Sequence, residues 1–95
     1  MFLECIYDTR KSFYEKAYVE VQKNEFECIK DLYSYGTLVA SIVWNYEKNS
    51  ITYKYFGRYS QTTTRHQKEF FKQEGLNDKE LKELFEKGEL IKGVE

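Results

Sequence analysis

Four hydroxyl side chains, an arginine and the only histidine of the chain fall within one short run, Tyr59-Ser60-Gln61-Thr62-Thr63-Thr64-Arg65-His66. An aromatic, alternating segment ends here and helical spacing begins. The free N–H groups of a helix start favour anions, and Arg65 and His66 would add donors to them. Ser60 or Thr62 suits the N-cap, but one cap needs one hydroxyl, so the remaining threonines exceed that need. The expectation is a binding junction built from Arg58, Tyr59, Ser60, Thr62, Thr63, Arg65 and His66. Arg65 is its functional residue, and His66, one turn before Phe70, is structural first. The plainer alternative is a helix cap with an ordinary surface pair between Arg65 and Glu69.

Other chemistry lacks its parts. A nucleophile needs an adjacent base oriented by a third group, and neither Ser60 nor His66 has an acidic orienter nearby in sequence. No phosphate-binding glycine loop, HExxH or paired-carboxylate signature is present. Two cysteines and one histidine fall short of a structural zinc set. The chain therefore reads as a non-enzyme with no catalytic residues, metal or cofactor.

The charge is -1 overall, which gives no global field toward nucleic acid or anionic lipid. Its distribution is uneven. Residues 1–47 and 73–95 each carry a net -3, while 48–72 carry Lys48, Lys54, Arg58, Arg65, Lys68 and Lys72 against Glu69 alone. This basic stretch includes Ile51 to Tyr59, where cations and aromatics alternate like a base-stacking platform. Lys54 and Lys68 are thus secondary binding candidates, and a nucleic-acid accessory role is the alternative to a protein partner. A small-anion binder at the junction is a third. Tyr33 and Tyr35 join the candidates as interface anchors, since Tyr and Arg dominate interface energies.

The longest apolar run, Leu38 to Trp44, is too short to cross a bilayer, and no secretory signal opens the chain. Both thiols are then expected to be reduced, in the cytoplasm. Mean hydropathy is -0.74, yet nine Tyr, seven Phe and one Trp supply enough apolar area for one core. One domain, 1–95, is expected.

Several elements must position the junction. Phe2 to Tyr7 reads as an edge strand or the start of a turn. Ala17, Val19 and Val21 alternate as in a half-buried strand, and Asn24 turns the chain. Phe26 to Tyr33 returns with Phe26, Cys28 and Leu32 on one face, and Ser34-Tyr35-Gly36 breaks it. Leu38 to Phe56 reads as a hairpin with a Glu47–Ser50 loop. That loop pairs Tyr46 with Ile51, Trp44 with Tyr53 and Ile42 with Tyr55, and puts Leu38, Ala40, Ile42 and Trp44 on one face. A helix follows over 60–75, stopped by Gly75. A second follows over 77–88, with Asn77 and Glu80 as a capping box and Leu76 and Leu81 as a staple. Its acidic outer face argues against a helix-turn-helix. The fold class is α+β: an antiparallel sheet of four or five strands, one long helix on a face and a short C-terminal helix.

Tyr59-Ser60, Thr62-Thr63, Arg65-His66 and Glu69-Phe70 resemble the C-terminal signature of a small uncharacterised domain family of Gram-positive bacteria and their phages and plasmids. Phe13-Tyr14, Lys16-Ala17, Ser34-Tyr35, Thr37 and Val39 are similar to its other recurring positions. The family often has glycine where this chain has Glu15. The resemblance spans about Phe13 to Gln73. It implies a mobile-element setting, in which small proteins without enzymatic motifs act by binding: anti-CRISPR-like antagonists of defence complexes, or DNA accessory proteins.

Overall fold

The computed structural model describes residues 1–93. Five strands form one antiparallel sheet in the order β1-β2-β3-β4-β5: β1 Ala17–Lys23, β2 Glu27–Ser34, β3 Thr37–Asn45, β4 Ser50–Tyr55 and β5 Glu89–Gly93. Two helices, α1 Gln61–Gln73 and α2 Asp78–Lys87, lie between β4 and β5. The α+β class stands, but the helices differ little, with 13 and 10 residues.

The fifth strand is C-terminal. Phe2 makes only an isolated bridge to Tyr18, while the Leu3 N–H donates to Ala17 O and the Val19 N–H to Met1 O. Past Leu3 the chain leaves the sheet. β5 escaped the sequence reading because its five residues alternate weakly after Gly88. It is held from outside: Lys92 reaches Glu80 at 2.7 Å. That ammonium, followed by the Asn77 N–H, keeps the Glu80 carboxyl below its usual range.

Alternation sorts the sheet. Ala17, Val19, Leu32, Ala40, Ile42 and Tyr53 face inward and are buried with Phe70, Phe71, Leu81 and Leu84 of the helices. α1 crosses β2 and β3, and α2 lies over β4 and β5, where Phe85 stacks on Tyr55 at 4.3 Å. Ser60 caps α1, its Oγ accepting from the Thr63 N–H. Leu76 N–H to Phe71 O and Gly75 N–H to Lys72 O close it as a Schellman turn, with Gly75 at φ 94°. The α2 capping box forms as expected, and both staple residues, Leu76 and Leu81, are buried.

Three details of the sheet differ from expectation. The β3–β4 register slides by two residues, pairing Trp44 with Ile51, Ile42 with Tyr53 and Ala40 with Tyr55. The loop is Tyr46–Asn49, because Asn45 Oδ1 accepts from the Lys48 N–H and Asn49 takes φ 50°, leaving Ser50 to begin β4. A slide of two preserves faces, so Ala40, Ile42, Ile51, Tyr53 and Tyr55 keep the inward face, but Trp44 lies beyond α1 and is 41% exposed. Leu38 is not inward. Leu32 pairs with Ala40 and Tyr33 with Leu38, so Val39 is a bulge that takes the inward place and turns Leu38 outward. Phe26 is also exposed, because Asn24 Oδ1 accepts from both the Phe26 and Glu27 N–H groups and keeps Phe26 in the turn.

Glu15 adopts φ 62°, in the left-handed region that glycine tolerates without a Cβ penalty. Glu15→Gly should therefore raise the unfolding free energy. Relief of strain offset by the greater freedom of unfolded glycine leaves a gain of roughly 0.5–1 kcal/mol. Denaturant unfolding of the variant checks it.

Candidate functional site

Because α1 starts at Gln61, its inward stripe falls on Thr63, His66, Gln67, Phe70 and Phe71, so three polar side chains enter the core beside two phenyl rings. Buried polar groups need partners, and β2 and β3 supply them. Ser34 Oγ lies 2.9 Å from Thr63 Oγ1 and 2.8 Å from His66 Nδ1. The imidazole also sits edge-on to Phe13, with ring centroids 4.5 Å apart. Gln67 Nε2 donates to Val39 O at 2.9 Å and Gly57 O at 3.1 Å. The Val39 bulge thus offers its carbonyl to the helix, and one amide ties β3 to the segment after β4.

Glu69 is 2% exposed and binds the N-terminal segment. Its Oε1 accepts from the N–H groups of Ile6, Tyr7 and Asp8 at 3.0, 2.8 and 2.8 Å, and its Oε2 from Gln73 Nε2 at 2.8 Å. The Arg65–Glu69 surface pair therefore does not form. Arg65 instead meets Asp8 Oδ1 at 3.3 Å, because the looped segment brings Asp8 to the flank of α1.

Three of the four hydroxyls are taken up within the fold. Ser60 caps, Thr63 joins Ser34, and Thr64 Oγ1 donates back to Ser60 O at 2.9 Å. Thr63 and His66, expected at a surface junction, are 4% and 1% exposed and have no surface for a partner. Thr62 is half-buried, while Arg58, Tyr59 and Ser60 are exposed on the connector.

Charge and aromatic candidates divide between surfaces. Lys54 points from β4 to the outer sheet face, away from its inward neighbours Tyr53 and Tyr55, whereas Lys68 stands on the solvent side of α1. The basic stretch therefore makes no single platform. Tyr33 and Tyr35 do come together. With Tyr18, Glu15, Lys16, Glu20 and Gly36 they line an open basin of about 770 Å³ at the β1–β2 edge. Tyr18, paired with Tyr33 across the strands, was missed by sequence reasoning, though alternation with Ala17 and Val19 placed it outward. Phe2 packs edge-on against it at 5.5 Å.

Ser34 and His66 are at hydrogen-bond distance, but both are sealed and no carboxylate among the described residues orients the ring. His66 Nε2 has no hydrogen-bond partner among the described residues, so a second ring proton would have no acceptor. Burial lowers its pKa below the ordinary 6.5. The ring is a neutral part of the core. Among the described residues no group of His, Cys, Asp and Glu is placed to hold a metal ion, and no helix is long and apolar enough to cross a membrane. Both cysteines are free thiols.

A family described as of unknown function, DUF8033, matches residues 1–87 by its model. No curated protein and no solved structure matches the chain. The matched span takes in β1 to β4 and both helices and stops short of β5.

Two measurements test these assignments. Glu69→Ala strands three backbone N–H groups beneath the loop, so unfolding free energy should fall by about 3 kcal/mol in denaturant titration. Because the folded-state pKa of His66 is depressed, the unfolded chain takes up the proton first as pH falls. Its stabilising contribution is full above 6.5 and is lost as pH drops from there toward the folded value. The slope of stability against pH between about 7 and 5 should flatten in His66→Gln.

Proposed function

We propose that this chain, which belongs to the DUF8033 family, is a small binding protein without catalytic chemistry that meets a protein partner through its tyrosine basin. The observation that carries the proposal is the basin itself. Tyr18, Tyr33 and Tyr35 share one concavity, with Tyr18 and Tyr35 43% and 58% exposed. Tyrosines supply large contact area at low conformational-entropy cost and are enriched among residues that dominate interface energy. Glu15, Lys16 and Glu20 give the basin a rim of mixed charge, as protein interfaces have around a less polar centre.

The sealed Ser34–His66 pair supports the non-enzymatic role, since a substrate has no route to it. The cellular setting we propose is the bacterial cytoplasm, with the gene carried by a phage or plasmid. There such a binder would inhibit or regulate a host defence complex in the anti-CRISPR manner. Support for that setting is the resemblance of the Tyr59–Phe70 signature. A nucleic-acid role for 48–72 is weaker, because Lys54 and Lys68 stand on opposite sides of the molecule. Arg58 and Tyr59 remain exposed on the connector as accessory contacts.

The test is affinity capture from bacterial lysate with the wild-type chain and Tyr33→Ala side by side. A partner should be retained by the wild type and bound about thirtyfold more weakly by Tyr33→Ala, the loss expected at a hot spot, with the thermal midpoint preserved. Equal capture by both proteins would remove the basin from the interface. Retention of nucleic acid alone, with steep salt dependence, would replace the protein partner.

A further inference from the structure

Three concavities on the solvent side of α1 share their walls. One of about 350 Å³ lies between Tyr7–Thr9 and the stretch from Gln61 to Lys68. A smaller one, about 90 Å³, repeats Tyr7, Asp8, Arg65 and Lys68 and extends to Lys72. A third, about 380 Å³, begins at Lys68 and Lys72 and continues to Leu81, Lys82 and Phe85 of α2. They make one trough, floored by α1 and walled by the N-terminal loop and α2. Glu69 fixes the loop wall by its hold on three consecutive N–H groups.

We propose that this trough docks an acidic segment of a protein partner, with apolar side chains interspersed among its carboxylates. The surface lies opposite the tyrosine basin's sheet face and does not depend on it. Its floor carries cations at Arg65, Lys68 and Lys72, spanning about 10 Å of helix. Lys68 lines all three concavities and has no ion-pair partner among the described residues. The partner of Lys72, Asp78, is 91% exposed at 3.3 Å, a pair that contributes little and exchanges readily. Apolar surface is interleaved: the Tyr7 ring is 58% exposed at one end and half-buried Phe85 lies at the other.

The same walls disfavour a nucleic-acid backbone. Asp8, Asp78 and Glu86 stand along the trough and would repel an unbroken row of phosphates. A peptide can space its carboxylates to meet the lysines and set apolar or basic side chains against those acids.

Selection of a random short-peptide library on the wild-type protein, followed by affinity measurement on variants, tests the proposal. Enriched peptides should be acidic with interspersed Leu, Phe or Ile. Lys68→Glu and, separately, Lys72→Glu should weaken them by at least about tenfold at an unchanged thermal midpoint. Tyr33→Ala should bind them normally, which separates this site from the basin. The proposal is overturned by failure to enrich, by enrichment of neutral or basic peptides, or by affinity indifferent to Lys68→Glu. It is equally overturned if a single-stranded oligonucleotide binds more tightly than the peptides and depends on Lys68.

Discussion

A polar helix face buried in a core is costly unless the rest of the chain returns hydrogen-bond partners, and that constraint organises this molecule. Only the buried His66 Nε2 and Gln67 Oε1 are left without one among the described residues. Thr63, His66, Gln67 and Glu69 are all nearly inaccessible on α1. Between them they reach three parts of the chain: Thr63 and His66 share Ser34 at the end of β2, Gln67 takes the carbonyls of Val39 and Gly57, and Glu69 the N–H groups of the 6–8 loop. Hydrophobic contact from Phe70 and Phe71 drives α1 onto the sheet but would tolerate many rotations and slides. The polar contacts select among them. They also account for two irregularities: the Val39 bulge, which aims a carbonyl at Gln67, and the departure of the N-terminal segment from β1 toward Glu69.

The run from Ser60 to Phe70 supplies a cap, an interior hydrogen-bond set and the anchor of a loop. Its buried members act by holding outer surfaces in place. The surfaces held are the tyrosine basin, whose Tyr35 ring lies 5.9 Å from the His66 ring, and the trough, whose loop wall Glu69 fixes. Arg65 within the same run is half-exposed and paired with Asp8 at the trough's edge.

Legibility in the sequence followed the range of the interaction responsible. The α2 capping box and staple, the Asn24 turn and the Ser60 cap are local, so neighbouring residue types disclosed them. Strand faces were legible because alternation survives a two-residue slide, which is also why the β3–β4 register itself was not. Leu38 was misplaced because a bulge depends on what the opposite strand and Gln67 require. Thr63 suggested a ligand contact because its partner, Ser34, lies 29 residues away. Helical spacing offers Glu69 only a surface pair with Arg65, the plainer alternative, because its true partners, backbone N–H groups more than 60 residues away, leave no trace in side-chain type. The DUF8033 match is wider than the resemblance read from the motifs and includes the anchored loop.

Amide hydrogen exchange at Ile6, Tyr7 and Asp8 tests the central claim most directly. These residues belong to no strand or helix, and the side chains of Ile6 and Tyr7 are 63% and 58% exposed. If the Glu69 carboxylate holds their N–H groups, all three should exchange as slowly as the middle of α1, opening only when the helix does. Exchange at the rate of an unstructured loop while α1 stays protected would contradict the account: the loop would then rest on the helix without being bound to it.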